Sequence, residues 1–127
     1  MTREAFEQLT EEAIAAIPEK FREKLNNVAI IIEPVPTQEQ LKQSHVPPGA
    51  SLFGLYEGIP QTKRWNYGQV LPDKITIFQQ PIEWFAKTED DIRLLITDTV
   101  WHEIAHHFGM DEHEVRRAEK RRRPSTT

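Results

Sequence analysis

Two histidines and a glutamate near the carboxyl end of the chain have the spacing that zinc-dependent hydrolysis requires. His102, Glu103 and His106 form the pattern His-Glu-x-x-His. On a helix, residues four apart lie one above the other at about 6 Å, so both imidazoles can bind one metal ion. Glu103 is rotated by about 100° from His102, which places it beside the ion rather than on it. We therefore predict that His102 and His106 are metal ligands and that Glu103 has another role.

Glu103 is predicted to be the catalytic general base. A Zn²⁺ ion held by three protein ligands keeps a fourth position for water and lowers the pKa of that water to about 7. A neighbouring carboxylate can accept the proton and later protonate the leaving amine, while the metal polarises the scissile carbonyl. The predicted reaction is hydrolysis of an amide bond. Tyr56, Arg64 and Tyr67 are candidate donors to the oxyanion, although a structural role explains each of them better.

The third metal ligand is predicted from a glycine that follows the second histidine. Gly109 can adopt the left-handed conformation that ends a helix and reverses the chain. Against the longer motif His-Glu-x-x-His-x-x-Gly-x-x-ligand, read without gaps, the ligand position is Glu112. Asp111 and His113 flank Glu112 and stay open as alternatives.

The motif lies toward the end of a predicted long helix. Thr88 can cap this helix, and the acidic run 89–91 suits its positive end. On a helical wheel the motif histidines lie apart from the apolar residues, which predicts that they face a cleft. His107, about 100° round from His106, is predicted to support the site or the helix end rather than to bind metal. The apolar arc comprises Leu94, Thr97, Trp101, Ile104, Ala105 and Phe108.

The rest of the sequence predicts an α+β fold that begins with a helix. Apolar residues recur at three- and four-residue steps before Pro18, as in an amphipathic helix. The strand predicted at 28–32 is apolar enough to be buried on both faces, and Pro81 is predicted to end the last strand. If that last strand forms a sheet edge beside the motif helix, it could hold an extended peptide. Besides the motif helix, the predicted helices are 4–17, 19–25 and 82–87, with a possible helical turn at 37–43. The predicted strands are 28–32 and 74–79, and residues 51–58 are predicted to form a strand or a hairpin.

The composition fits a single small domain. The chain has 127 residues, and we expect residues 1–115 to form the domain and residues 116–127 a basic tail. The sequence has no cysteine, which excludes disulfides and thiolate zinc sites. No apolar run has the length of a signal peptide core or a membrane span, so we expect a cytoplasmic protein.

Charge is distributed unevenly along the chain. Residues 1–115 carry ten Lys and Arg against nineteen Asp and Glu, a net −9, whereas residues 116–127 carry six against one, a net +5. A basic tail can bind phosphates, but cations also suit the solvated end of a chain. We favour the second interpretation. We expect a peptide or protein substrate and no membrane or nucleic-acid partner, and the sequence leaves the oligomeric state open.

Three segments of the chain have a distinctive sequence. They are residues 53–60 (Phe-Gly-Leu-Tyr-Glu-Gly-Ile-Pro) with 62–64, residues 71–76 (Leu-Pro-Asp-Lys-Ile-Thr), and residues 102–109 with Asp111 and Glu112. Together they resemble a known family of small bacterial zinc metallopeptidases, the minimal zincins. The resemblance covers nearly the whole chain, although the basic sequence after Glu114 replaces the family's usual apolar helix end. It implies a zincin-like α+β fold with a few-stranded sheet over a long metal-binding helix. It also implies that His102, Glu103 and His106 are ligand, base and ligand.

Two other functions stay open beside the zinc-dependent peptidase. Small zinc endoribonucleases have the pattern His-x-x-x-His-x-x-Gly-x-Asp-His, in which Gly109 and Asp111 fit. Glu112, however, stands where their third histidine should be, and the acidic body of the chain would repel RNA. The other alternative is a peptide-binding module without turnover, in which zinc only stabilises the fold.

Overall fold

The structure is a computed structural model that describes residues 1–45, 52–58 and 72–107. Within these ranges the chain forms five α-helices and three strands, which confirms the predicted α+β class. A 3₁₀ turn, Glu23–Leu25, continues the second helix, as the sequence predicted for this segment. The elements in chain order are α1 (Arg3–Ala15), α2 (Glu19–Arg22), β1 (Val28–Glu33), α3 (Gln38–Gln43), β2 (Gly54–Glu57), β3 (Asp73–Phe78), α4 (Gln79–Phe85) and α5 (Glu89–His107).

The three strands form one mixed sheet in the order β1–β3–β2. β1 runs parallel to β3, with Ile30 opposite Ile75, and β2 runs antiparallel to β3, with Tyr56 opposite Ile75. β3 is therefore the central strand of this sheet. The hypothesis that β3 offers a free edge to an extended peptide is wrong, because β1 and β2 occupy its two sides. The strand that approaches α5 at the motif is β2.

β1 is less buried than its sequence predicted. Ile32 is buried, but the rest of the strand is half-buried or exposed. The prediction assumed that both faces would be covered, as in the middle of a parallel sheet. Among the described strands β1 has a neighbour on one side only, so it does not have that position. β3 lies between two strands of the mixed sheet, and residues 75–78 of β3 are all buried.

Local sequence fixes the start of α3. Thr37 and Gln40 form a reciprocal capping box at α3, in which each side chain accepts the other residue's backbone N–H at 3.0 and 2.9 Å. The helix predicted for 82–87 instead begins at Gln79, directly after β3. The sequence predicted that Pro81 ends the last strand. Proline fits equally well into the first turn of a helix, where its missing N–H is not needed, and Pro81 has that position in α4.

One hydrophobic core joins α1, β3, α4 and α5. α1 buries Phe6, Leu9 and Ala13, as its periodicity predicted. Full burial of one large apolar side chain contributes roughly 1.5–3 kcal/mol, so this core holds α5 firmly against the sheet and α1. Its fully buried side chains include Phe6, Ile75, Ile77, Phe78, Ile82, Ile96, Val100, Trp101 and Ile104.

No helix in the described part of the chain is long and apolar enough to span a bilayer. The predicted domain boundary at residue 115 and the basic tail 116–127 lie outside the described residues. Both stay predictions, as does the expected cytoplasmic location.

Candidate functional site

α5 begins where its sequence predicted. The Asp91 N–H donates to Thr88 Oγ1 at 3.1 Å, and the Ile92 N–H donates to the Thr88 carbonyl at 2.9 Å. Glu89, Asp90 and Asp91 fill the first turn, where carboxylates interact favourably with the helix dipole. These contacts fix the start of a helix of 19 residues that carries the His-Glu-x-x-His motif near its other end.

The buried face of α5 sets the helix rotation. Trp101 is 0% exposed, and its ring meets the Phe21 ring edge-on at a centroid distance of 4.2 Å. Thr97 Oγ1 lies 3.1 Å from the Ala13 carbonyl of α1. The predicted apolar arc is confirmed at Thr97, Trp101, Ile104 and Ala105. It is wrong at Leu94, which is 41% exposed and lines a surface groove together with Phe85 of α4. Phe108 lies outside the described residues.

The two motif histidines lie on the open face of α5. His102 is half-buried and His106 is exposed, as predicted for side chains that avoid the core. Their ring centroids are 6.3 Å apart, and the ring planes differ by 23°. This separation matches the spacing of about 6 Å expected one helical turn apart. The donor chemistry and the spacing both fit a shared divalent metal such as Zn²⁺.

Glu103 is held by the backbone of β2. The Tyr56 N–H donates to Glu103 Oε1 at 3.0 Å, and the glutamate side chain is half-buried. Burial raises the pKa of Glu103 above its ordinary value, and the Tyr56 N–H and the positive potential of His106 and His102 oppose this rise. The result is a carboxylate with one oxygen fixed in position and an enhanced affinity for a proton.

A close approach between β2 and α5 makes the Glu103–Tyr56 contact possible. A Cβ atom at Gly54 would lie 2.5 Å from Thr99 Cγ2 and 3.1 Å from the Thr76 carbonyl oxygen. A Cβ at this position would force the Thr99 side chain, the strand or the helix to shift. The glycine of the Phe-Gly-Leu-Tyr segment therefore brings the strand within hydrogen-bonding distance of Glu103.

A second cluster adjoins the motif at the end of α5. The Tyr56 ring stacks on the His107 ring at 3.8 Å with an interplanar angle of 17°. The Tyr56 hydroxyl donates to Asp73 Oδ2 at 2.8 Å, and His107 Nε2 lies 4.0 Å from the same oxygen. These contacts agree with the predicted supporting role of His107. They give Tyr56 a partner other than an oxyanion, which agrees with its structural interpretation.

Sequence reasoning missed Asp73 as part of this cluster. The residue precedes an alternating apolar run, and that pattern marks a strand start rather than a functional carboxylate. Its position beside Tyr56 follows from the antiparallel register of β2 and β3, in which Tyr56 lies opposite Ile75 and Glu57 opposite Lys74. Only the pairing of β2 with β3 reveals that Asp73 lies beside Tyr56.

The other predicted site residues lie outside the described part of the chain. They are Glu112, the alternatives Asp111 and His113, the turn residue Gly109, and the candidate donors Arg64 and Tyr67. Within residues 1–45, 52–58 and 72–107, no three His, Asp or Glu side chains are grouped closely enough to hold a metal ion. The described site thus provides two imidazoles and a carboxylate, and the third ligand and the catalytic role of Glu103 stay predictions.

The chain matches the family model of zincin-like metallopeptidases over residues 25–122, a range that contains the whole motif. Its fold is similar to the solved structure of a conserved hypothetical protein from Thermus thermophilus, with a TM-score of 0.56. The two chains are 24% identical, and the similarity covers 85% of this chain and 94% of the other. At this level of identity the similarity concerns the fold alone. None of the curated proteins matches the sequence.

Proposed function

The chain belongs to the zincin-like metallopeptidase family, and we propose that it is a zinc-dependent peptidase in which Glu103 is the general base. The observation that carries this proposal is the arrangement on the open face of α5. Two imidazoles lie one turn apart with ring centroids 6.3 Å from each other, and the half-buried Glu103 projects beside them with one oxygen fixed by Tyr56. A solvated polar helix face would not need a backbone contact of this kind.

His102, His106 and Glu112 are the proposed metal ligands. Two imidazoles and a carboxylate form a donor set common in catalytic zinc sites. When bound, Zn²⁺ would lower the pKa of water and polarise the scissile carbonyl. Glu112 rests on the motif spacing, with Asp111 and His113 as its alternatives.

Glu103 would accept a proton from the attacking water and return it to the leaving amine. The Tyr56 N–H holds Oε1, so the side chain does not have to be ordered during the reaction. Burial raises the pKa of Glu103, which makes its carboxylate a stronger base than that of an exposed glutamate. The contact and the burial thus support the same role.

The burial of Glu103 also favours a peptidase over the two alternative functions. The endoribonuclease pattern has no requirement for an acid between its first two histidines. A binding module without turnover would gain nothing from a half-buried carboxylate, whose desolvation costs free energy. In a hydrolase, the need for a general base would explain why the carboxylate is buried despite this loss of free energy.

The proposal is tested by peptide cleavage with a matched pair of variants. The zinc-loaded protein is incubated with a diverse peptide mixture, and the products are identified by mass spectrometry. We expect cleavage by the wild type and a kcat/KM about 10²–10⁴-fold lower for Glu103→Gln. Glu89→Gln makes the same chemical change at an exposed position of the same helix and should keep wild-type activity. Absence of cleavage by the wild type, or equal cleavage by Glu103→Gln, would contradict the proposal.

A further inference from the structure

An exposed apolar surface lies on α4 and the first half of α5. Trp84 is 81% exposed and Phe85 is 70% exposed, which is unusual for two consecutive aromatic residues. Val35 and Leu94 are also exposed, and the Phe53 ring lies 5.6 Å from the Phe85 ring. We call the surface formed by these five residues the aromatic groove. Contiguous apolar surface of this kind commonly marks a binding site.

The aromatic groove has room for more than one side chain. A groove of about 430 Å³ is lined by Val35, Phe53 and Trp84, and an adjoining groove of about 210 Å³ is lined by Leu94. Phe85 lines both of them, so the two grooves adjoin at this ring. Together they fall in the range of ligand pockets, about 300–1,000 Å³.

Two elements connect the aromatic groove with the motif. The smaller groove extends along α5 to Asp98, which lies one helical turn before His102 on the same face. Phe53 directly precedes β2, and two residues after Gly54 the same strand donates its Tyr56 N–H to Glu103. The groove and the proposed catalytic base therefore lie along a single junction between β2 and α5.

The distance between groove and base suits an extended peptide. Leu95, which lines the smaller groove, precedes Glu103 by eight residues of α5, about 12 Å along the helix axis. An extended chain covers that distance in three or four residues, at about 3.3 Å each. Phe53 and Tyr56 are three residues apart along the strand segment, which gives a similar distance of about 10 Å.

Charges around the groove restrict what can bind. Asp91 and Asp98 line the smaller groove and make it unfavourable for acidic residues. Lys87 Nζ lies 4.9 Å from the centre of the Trp84 ring, so this ring already interacts with a cation. A bulky apolar side chain with neutral or basic neighbours fits this environment better than one with acidic neighbours.

We propose that the aromatic groove binds a bulky apolar side chain of an extended peptide substrate, three or four residues from the scissile bond. This inference rests on the proposed function, because it takes Glu103 as the point of cleavage. It assigns the exposed aromatic residues a role in substrate selection that the motif alone does not provide. The peptides selected carry a large apolar residue at that position and lack acidic neighbours.

The test compares the cleavage-site profiles of three proteins on one peptide library. They are the wild type, Phe85→Ser and the matched control Phe85→Leu, which keeps an apolar side chain at the same exposed position. We expect the wild type to cleave preferentially where Phe, Trp or Leu stands three or four residues from the cut bond. Phe85→Ser should lower kcat/KM for these peptides by at least about fivefold, whereas Phe85→Leu should stay within about twofold. Peptides with serine at that position should respond to neither substitution.

The outcomes separate this inference from the proposed function. Cleavage without a positional preference, or with a preference that Phe85→Ser leaves intact, would overturn the inference and leave the peptidase standing. If no peptide is cleaved, the proposed peptidase function is wrong. Peptide binding to the aromatic groove is then measured by fluorescence anisotropy with a labelled decapeptide rich in Phe and Lys. Binding that Phe85→Ser weakens would support the groove as a peptide site, and unchanged binding would overturn it. A dimer that Phe85→Ser converts to a monomer would assign the surface to a second copy of the chain and also overturn the inference.

Discussion

The buried face and the open face of α5 differ in what each contributes to the folded state. On the buried face, Ile96, Val100, Trp101 and Ile104 are all 0% exposed, and their burial stabilises the protein. On the open face, burial raises the pKa of Glu103, so ionisation of this residue opposes folding. The comparison indicates that the buried face of α5 provides a rigid support. The open face carries a carboxylate whose burial opposes folding, and the proposed role of Glu103 as general base would account for its position.

Two tryptophans on neighbouring helices give the largest expected contrast. Trp101→Ala should lower the free energy of unfolding by about 3–5 kcal/mol, because it leaves a cavity in the core. Trp84→Ala removes the same side chain from a position that is 81% exposed and should change that free energy by less than about 0.5 kcal/mol. Urea unfolding of both variants measures the difference. Similar losses in the two variants would show that the assignment of Trp101 as buried and Trp84 as exposed is wrong.

Gly54 tests the contact between β2 and the open face. Gly54→Ala should destabilise the protein by about 1–3 kcal/mol, because the new Cβ would lie 2.5 Å from Thr99 Cγ2. It should also lower peptidase activity, since separating β2 from α5 moves the Tyr56 N–H away from Glu103.

Two controls show whether that effect comes from the close approach. Gly58→Ala places its Cβ 3.7 Å from Asp73 Oδ1, an ordinary contact, and should be nearly neutral. Thr99→Ser removes the methyl group that Gly54→Ala would meet, so the double variant should regain part of the lost stability. Equal effects of the two glycine substitutions, or no recovery in the double variant, would contradict the proposed close contact.

The smallest expected effect is a gain in stability when Glu103 loses its charge. Glu103 has a raised pKa in the folded protein, so its contribution to stability is fully present below its unfolded pKa of about 4.3 and is lost as pH rises through the folded pKa. Glu103→Gln removes this loss and can keep the bond from Tyr56. Without metal, the variant should be more stable than the wild type at pH 7 by about 0.5–1 kcal/mol.

Denaturant unfolding at two pH values checks this prediction. The advantage of Glu103→Gln over the wild type should shrink when the pH is lowered from 7 to 4, because the wild-type glutamate then becomes neutral. Glu89→Gln, at an exposed position of the same helix, serves as the control and should gain no stability at pH 7, because its carboxylate interacts favourably with the helix dipole. A Glu103→Gln variant that is less stable at pH 7 would mean that the carboxylate has a structural role.

Local patterns predicted most of the elements but not the contacts between them. The Thr88 cap and the acidic first turn placed α5 correctly, and the periodicity before Pro18 placed α1, because both signals act within one helix. The bond between Tyr56 and Glu103 joins residues 47 positions apart and depends on the sheet order β1–β3–β2. The exposure of Leu94 likewise depends on what packs beside α5, which a helical wheel does not contain.

Zinc binding measured by isothermal titration calorimetry tests the central claim that the open face of α5 is a metal centre. The wild type should bind roughly one Zn²⁺ per chain, and His102→Ala and His106→Ala should each weaken binding by at least about 100-fold. His45→Ala, at an exposed position just after α3, should bind zinc like the wild type. A wild type that binds no zinc, or motif variants that bind it as tightly as His45→Ala does, would contradict the claim.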